Sequence, residues 1–163
     1  MPEERTLRAA EKDRREGKSP STQAGEFVKE EIEHVREGQH GVRSTKQAIA
    51  IGLSKARRAG VKLPVPTKNT SKRVKKKAEQ DLEAGASHRP KSPRRARATE
   101  NALKRESREP VSKSALSKQA KTAAAKRSSG ARSAAAKKAA RTKGASKRSA
   151  AAKKAARTRA RKT

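Results

Sequence analysis

Ser44-Thr45-Lys46-Gln47-Ala48-Ile49-Ala50-Ile51-Gly52-Leu53-Ser54-Lys55-Ala56-Arg57-Arg58-Ala59-Gly60 is the stretch whose reading decides the fold. Ser44 and Gln47 form a capping box: the hydroxyl accepts the third helical N–H and the glutamine reaches back. Ala48, Ile49, Gly52, Leu53, Ala56 and Ala59 then recur at helical spacing and make one stripe. Lys55, Arg57 and Arg58 fall in the last turns, where the helix dipole favours cations. Gly60 is placed to end the helix as its C′ residue. Ile51 lies about 60° outside the stripe, so dimerisation through it, or docking of a later helix, would bury it.

Toward the N-terminus, Ser19-Pro20-Ser21-Thr22 signals another helix start. From Ala24, the residues Phe27, Val28, Ile32 and Val35 fall within an arc of about 140°, the width of a core-facing face. Gly38 ends this second helix, and a six-residue turn runs through Gly41 to Arg43. The two stripes predict an antiparallel helical hairpin domain over 20–63, closed by Val42, Val61 and Leu63. An island of about 45 residues sits near the lower limit for unaided folding. Residues 1–19 are a charged N-terminal segment with Leu7 as the one large apolar side chain between 3 and 16. It reads as a solvated helix ended by Gly17, or as disorder.

Composition limits what else can fold. Leu, Ile, Val and Phe number 17 of 163 residues, well below the fifth or so at which disorder becomes the expectation. Alanine supplies 31 of the apolar residues and buries little surface. The predicted fold class is therefore mostly α and disordered, a small two-helix hairpin followed by a largely disordered, helix-prone basic tail. A single large core is excluded, and with it an enzyme that needs a deep apolar pocket. The chain has no Cys, so no disulfide or thiolate metal site exists. Its acidic opening, Met1-Pro2-Glu3-Glu4-Arg5, does not read as a signal peptide. No apolar run approaches the roughly 18 residues of a membrane span. The expected location is cytoplasmic and nucleoid-associated, with no membrane partner.

Charge is distributed unevenly. Through Gly60 there are 13 basic and 10 acidic side chains; beyond it there are 33 and 6, and after Glu109 there is no acid while 18 Lys and Arg follow. Such asymmetry separates a folding segment from a nucleic-acid-binding one. Leu63-Pro64-Val65-Pro66 marks the boundary, since two prolines forbid helix continuation. Residues 64–110 read as a basic linker with short helices over 72–84 and 97–106, interrupted by Arg89-Pro90-Lys91-Ser92-Pro93-Arg94-Arg95. A further helix is expected to begin near Ser112. None of these has an apolar face wide enough for a core.

Residues 111–163 form an Ala/Lys/Arg-rich tail with an internal repeat. Ser133-Ala134-Ala135-Ala136-Lys137-Lys138-Ala139-Ala140-Arg141-Thr142-Lys143 returns 16 residues later as 149–159, ending Ala156-Arg157-Thr158-Arg159, and a degenerate copy begins at Thr122. On a helix, Lys137, Lys138 and Arg141 share an arc of about 100°, as do Lys153, Lys154 and Arg157. Like charges at i and i+4 oppose that helix in free solution, so the repeats are expected to be unfolded alone and helical on phosphates. The predicted nucleic-acid-binding residues are Lys126, Arg127, Arg132, Lys137, Lys138, Arg141, Lys143, Lys147, Arg148, Lys153, Lys154, Arg157, Arg159, Arg161 and Lys162, with Arg94 and Arg95 upstream. The tail has no aromatic side chain to stack on single-stranded bases, which favours duplex DNA. Structured RNA, as bound by basic ribosome-associated proteins, is the alternative partner. Ser92-Pro93-Arg94-Arg95 resembles the Ser-Pro-basic-basic turns of histone tails, whose arginines suit narrow minor grooves. Its plain reading is a proline-broken linker.

Two family likenesses stand beside these readings. The alanine- and lysine-rich tail resembles the C-terminal tails of linker histones and of bacterial histone-like nucleoid proteins, which implies DNA condensation and no chemistry. The segment 27–59, centred on Gln47-Ala48-Ile49-Ala50-Ile51-Gly52-Leu53-Ser54-Lys55-Ala56, resembles a family of small basic bacterial proteins of unknown function that share Gln-Ala-Ile-Ala-Ile-x-Leu-Ser-x-Ala. Gly52 and Lys55 stand where other members often have Ala and Glu. The resemblance implies a loose association with DNA and no established site.

Sharper alternatives are weighed against plain ones. A helix-turn-helix reader would aim Thr45, Lys46 and Gln47 at bases, but its turn is usually three or four residues. A core or dimerisation hairpin anchoring the basic tail fits better. His34 and His40 could meet a metal with Glu30 or Glu37, yet nothing in the sequence sets their geometry, and no metal or cofactor site is predicted. Glu30, Glu31 and Glu33 read as solvated helix charges. No nucleophile, base and oxyanion arrangement exists, so no enzyme is predicted. A membrane-active polycation is disfavoured because alanine, not Leu or Trp, backs the basic repeats. The expected function is sequence-independent binding and compaction of duplex DNA.

Overall fold

The computed structural model describes residues 2–66, 70–87 and 92–161, with the side chains of Thr142 and Lys143 outside that description. The described residues contain α1 (Glu4–Arg15), α2 (Pro20–Glu37), α3 (Thr45–Arg58), α4 (Lys72–Ala86), α5 (Pro93–Lys104), a 3-10 turn (Glu109–Val111), α6 (Lys113–Ala125) and α7 (Ser129–Ala160). The chain divides into two compact units, Met1–Gln119 and Ala120–Thr163. The expected fold class is thereby corrected: the protein is all-helical, neither a lone two-helix hairpin nor a chain with a largely disordered tail.

The α2–α3 pair is the centre of the first unit, and its local signals act as the sequence implies. Ser44 has extended backbone and its side chain accepts from the Gln47 N–H at 3.2 Å. Gln47 reaches back one residue further than a capping box requires, accepting from the Arg43 N–H at 2.9 Å. Both helices end in Schellman turns. After α2, Gln39 N–H donates to His34 O and Gly38 N–H to Val35 O; after α3, Val61 N–H donates to Ala56 O and Gly60 N–H to Arg57 O. Gly38 and Gly60 take φ of 84° and 89°, which an L side chain resists.

Apolar burial falls in two small clusters. Ala10, Ala24, Phe27, Ala56, Val61 and Leu63 form one, with Leu53 against it; Val35, Val42, Ala48 and Val111 form the other, with Ile32 and Ile51 against it. Ala10 brings α1 into the first cluster, so residues 4–15 are a docked helix and neither a solvated one nor disorder. Val111 brings the 3-10 turn into the second, and the partly buried Ile51, 60 positions earlier in the chain, packs against that cluster. Ala59, expected in the stripe, is exposed. Ala59 is the C-cap residue of α3 and lies past the buried face, which is formed by Ala48, Gly52 and Ala56.

The last turn of α5 and the segment after it close over the α2–α3 turn through backbone bonds. Gly41 N–H donates to Leu103 O at 2.9 Å and Val42 N–H to Ser107 O at 2.8 Å. Thr45 Oγ1 donates to Pro110 O at 2.6 Å, and Arg36 Nε to Val111 O at 3.1 Å. Residues beyond the prolines therefore contribute to the core, Val111 doing so from a 3-10 turn and not from a wide helical face. Ala78 of α4 is also buried, and α4 packs on α3.

A Cβ on Gly41 would lie 1.8 Å from the Glu106 carbonyl oxygen, so only glycine admits this closure. Gly41→Ala should therefore lower unfolding stability in urea by about 1–3 kcal/mol, the range for overpacking a tight contact. Hydrogen exchange should show the Val42 amide losing protection, since its acceptor at Ser107 must withdraw.

Candidate nucleic-acid interface

Alanine, lysine and arginine are strong helix formers, and this decides the state of the tail. Ser128 caps α7, its Oγ accepting from the Ala131 N–H at 3.2 Å. Within a copy, Arg141 faces Lys137 and Lys138 at i−4 and i−3, and each such like-charged pair costs only about 0.2–0.5 kcal/mol. Five alanines in each copy of eleven residues outweigh that cost. Repulsion among the cations is too weak to keep the helix from forming without phosphate, so the expectation of repeats unfolded alone is corrected.

Gly144 interrupts α7 with φ 68° and ψ 167°, leaving one intact copy of the repeat on each side. The degenerate third copy has no helix of its own. Ala123, Ala124 and Ala125 close α6, and Lys126 and Arg127 occupy the turn before α7.

Helical geometry sorts the predicted residues. Lys137, Lys138 and Arg141 share one face of the first half; Lys153, Lys154 and Arg157, joined by Lys147 and the C-cap Arg161, share roughly 120° of the second. Arg132, Arg148 and Arg159 project from the other side. Two of these hold backbone: Arg132 Nη1 donates to Arg127 O at 2.9 Å and Arg148 Nε to Gly144 O at 3.2 Å. They are 16 residues apart and each secures the entry to its half, a positional role that the repeat itself signals. The described side chains of α7 are exposed apart from the half-buried Ala140. The predicted contacts of Lys143 and Lys162 lie outside the described residues, as do His88 and the Arg89-Pro90-Lys91 break.

Arg94 and Arg95 do not sit in a broken linker. Ser92 is the N-cap and Pro93 the first residue of α5, where proline's missing N–H is no loss. Both arginines are exposed in its first turn. Arg95 lines a cleft of about 890 Å³ together with Lys55, Arg58 and Lys77, residues of α3 and α4 that charge counting did not single out. Glu31 and Glu100 line it too, so it is not a purely cationic groove. Thr45, one of the three side chains a base-reading helix would use, has its hydroxyl committed to Pro110.

Carboxylates expected in solvent are buried here. Glu30 and Glu31 are 1% and 0% exposed, and Lys55 Nζ stands 3.1 Å from Glu30 and 2.8 Å from Glu31. Burial pulls the Lys55 ammonium down, but Glu31 and Glu30 outweigh it and hold its pKa above the usual lysine value. Asp81 of α4 accepts from Ser54 Oγ at 2.7 Å and from Arg58 Nε and Lys77 Nζ, both at 2.9 Å. Burial raises its pKa, yet Lys77, Ser54 and Arg58 together leave it below the ordinary carboxylate value.

Residues 15–69 match the profile of a family described as of unknown function, DUF6496. The match spans α2 and α3 and stops before α4 and the basic tail. No curated protein and no solved structure matches the chain. Among the described residues, no helix is long and apolar enough to cross a membrane.

Because the folded pKa of Asp81 is depressed, its contribution to stability is present at neutral pH. It disappears as pH falls through the unfolded value of about 3.9 and then the lower folded one. Asp81→Asn should cost about 1–3 kcal/mol in urea unfolding at pH 7, since it strips the buried anion from the partly buried Arg58 and weakens the bonds from Ser54 and the exposed Lys77. The gap between the two proteins should narrow progressively in the same measurement repeated from pH 5 to pH 2.

Proposed function

We propose that this protein binds duplex DNA without regard to sequence and compacts it in the manner of a histone-like, nucleoid-associated protein. The reading rests on one observation: two copies of a basic stripe, carried on exposed helix in a stretch with no acidic residue, separated by a glycine break. Cations held at helical spacing present charge along a line, and phosphate backbones are lines of opposite charge. The driving force is release of condensed counterions, which depends on the number of phosphates met and not on base identity. Alanine on the opposite face supplies little surface for a protein or lipid partner. The absence of aromatic residues from the tail removes the stacking that single strands require. Likeness to linker-histone and bacterial histone-like tails, and location with the nucleoid, belong to the same reading. The first unit anchors the basic helix and takes no base-reading role.

The test is a salt titration of duplex binding with full-length protein and a variant carrying glutamine at Lys137, Lys138, Arg141, Lys153, Lys154 and Arg157. If all six meet phosphate, the slope of log K against log salt should become shallower by about 5, while duplexes of different sequence stay equivalent. An unchanged slope refutes the reading. Displacement of duplex DNA by structured RNA at equal nucleotide concentration moves the function to RNA.

A further inference from the structure

We propose that Glu31, His34 and His40 form a zinc site. Glu31 and His34 lie at i and i+3 on α2 and so share a face, and the Schellman turn at Gly38 folds the chain back to set His40 beside them. One ligand atom from each of the three residues lies within 4.8 Å of those of the other two. Ligands of a tetrahedral zinc stand roughly 3.4 Å apart, so small side-chain rotations close the set. Two imidazoles and a carboxylate suit zinc or a similar transition ion and disfavour magnesium or calcium.

A second observation points to a cation independently. Glu31 is fully buried, and its Oε1 accepts no hydrogen bond. Lys55 Nζ makes an ion pair with Oε2 at 2.8 Å, while Oε1 has only His40 Nε2 beside it, at 3.3 Å. Such a group is costly to bury, and a metal on Oε1 satisfies it while Lys55 keeps Oε2.

The surroundings orient the donors as outer partners of a metal do. His40 Nδ1 lies 3.1 Å from the Gly41 carbonyl oxygen, so it carries the proton and turns Nε2 toward Glu31. His34 Nε2 lies 2.8 Å from Glu3 Oε1, a carboxylate–histidine pair that secures the ring. Three carboxylates, Glu3, Glu30 and Glu31, converge on the cluster against one buried ammonium, Lys55, with Arg5 meeting Glu3 from the solvent side. With neutral imidazoles the cluster is anionic and welcomes a divalent ion. Glu31, His34 and His40 all line the 890 Å³ cleft, which leaves the fourth coordination position to water or an exogenous ligand.

The test uses the full chain, stripped with chelator and titrated with zinc by calorimetry and thermal unfolding. One zinc per chain should bind and, at a hundredfold excess over Kd, raise Tm by on the order of 10 °C. His40→Gln, in a turn and removing no core side chain, should weaken binding at least tenfold. His34→Gln should do likewise, and His88→Gln should leave it unchanged. Cobalt(II) should give the intense visible bands of a tetrahedral centre that are lost in His40→Gln. Absence of stoichiometric binding, equal binding by His40→Gln, or only the weak spectrum of octahedral cobalt overturns the proposal.

Discussion

The close approach of α2 and α3 is the contact on which the first unit is built, and it depends on Gly52. A Cβ there would stand 2.6 Å from Val28 Cα, so the missing side chain lets one backbone lie almost on the other. A chain this poor in large apolar residues has few ways to fill an interior. Bringing backbones together and lining the gap with Ala24, Ala48 and Ala56 is one that its composition permits.

Buried charge completes what apolar area leaves unfinished. Lys55 ties α3 to Glu30 and Glu31 of α2, and Asp81 ties α4 to Ser54 and Arg58 of α3. Such pairs add little net stability over apolar isosteres, but breaking one leaves a charge stranded. They therefore specify which face of α2 meets α3 and which face of α4 docks. The same arrangement gathers the donors of the metal cluster, since Glu31 contributes to both.

The second unit works by the opposite logic. Local propensity alone makes α7 helical, and no core is needed to hold the basic stripes in line. For the proposed binding to duplex DNA, an already helical stripe would lose less conformational entropy than a coil that must fold first. The glycine break divides one long rod into two shorter ones, each matching one copy of the repeat.

Local chemistry determined a good deal from sequence alone: the start and end of α2 and α3, the cap at Ser44, the left-handed glycines at 38 and 60, and the spacing of cations in the repeat. Each depends on neighbours within about one helical turn. Tertiary structure alone decided that α1 docks, that Ile51 packs against the cluster holding Val111, and that Glu30 and Glu31 are interior. The charged face of α2 looks solvated in a helical projection because its partners, Glu3 and Lys55, lie about 25 residues away on either side. The helical tail departs from its sequence pattern for a different reason. Its repulsion was visible in the sequence, but the balance against alanine's helix preference is a matter of magnitude, and a pattern of signs does not carry magnitudes.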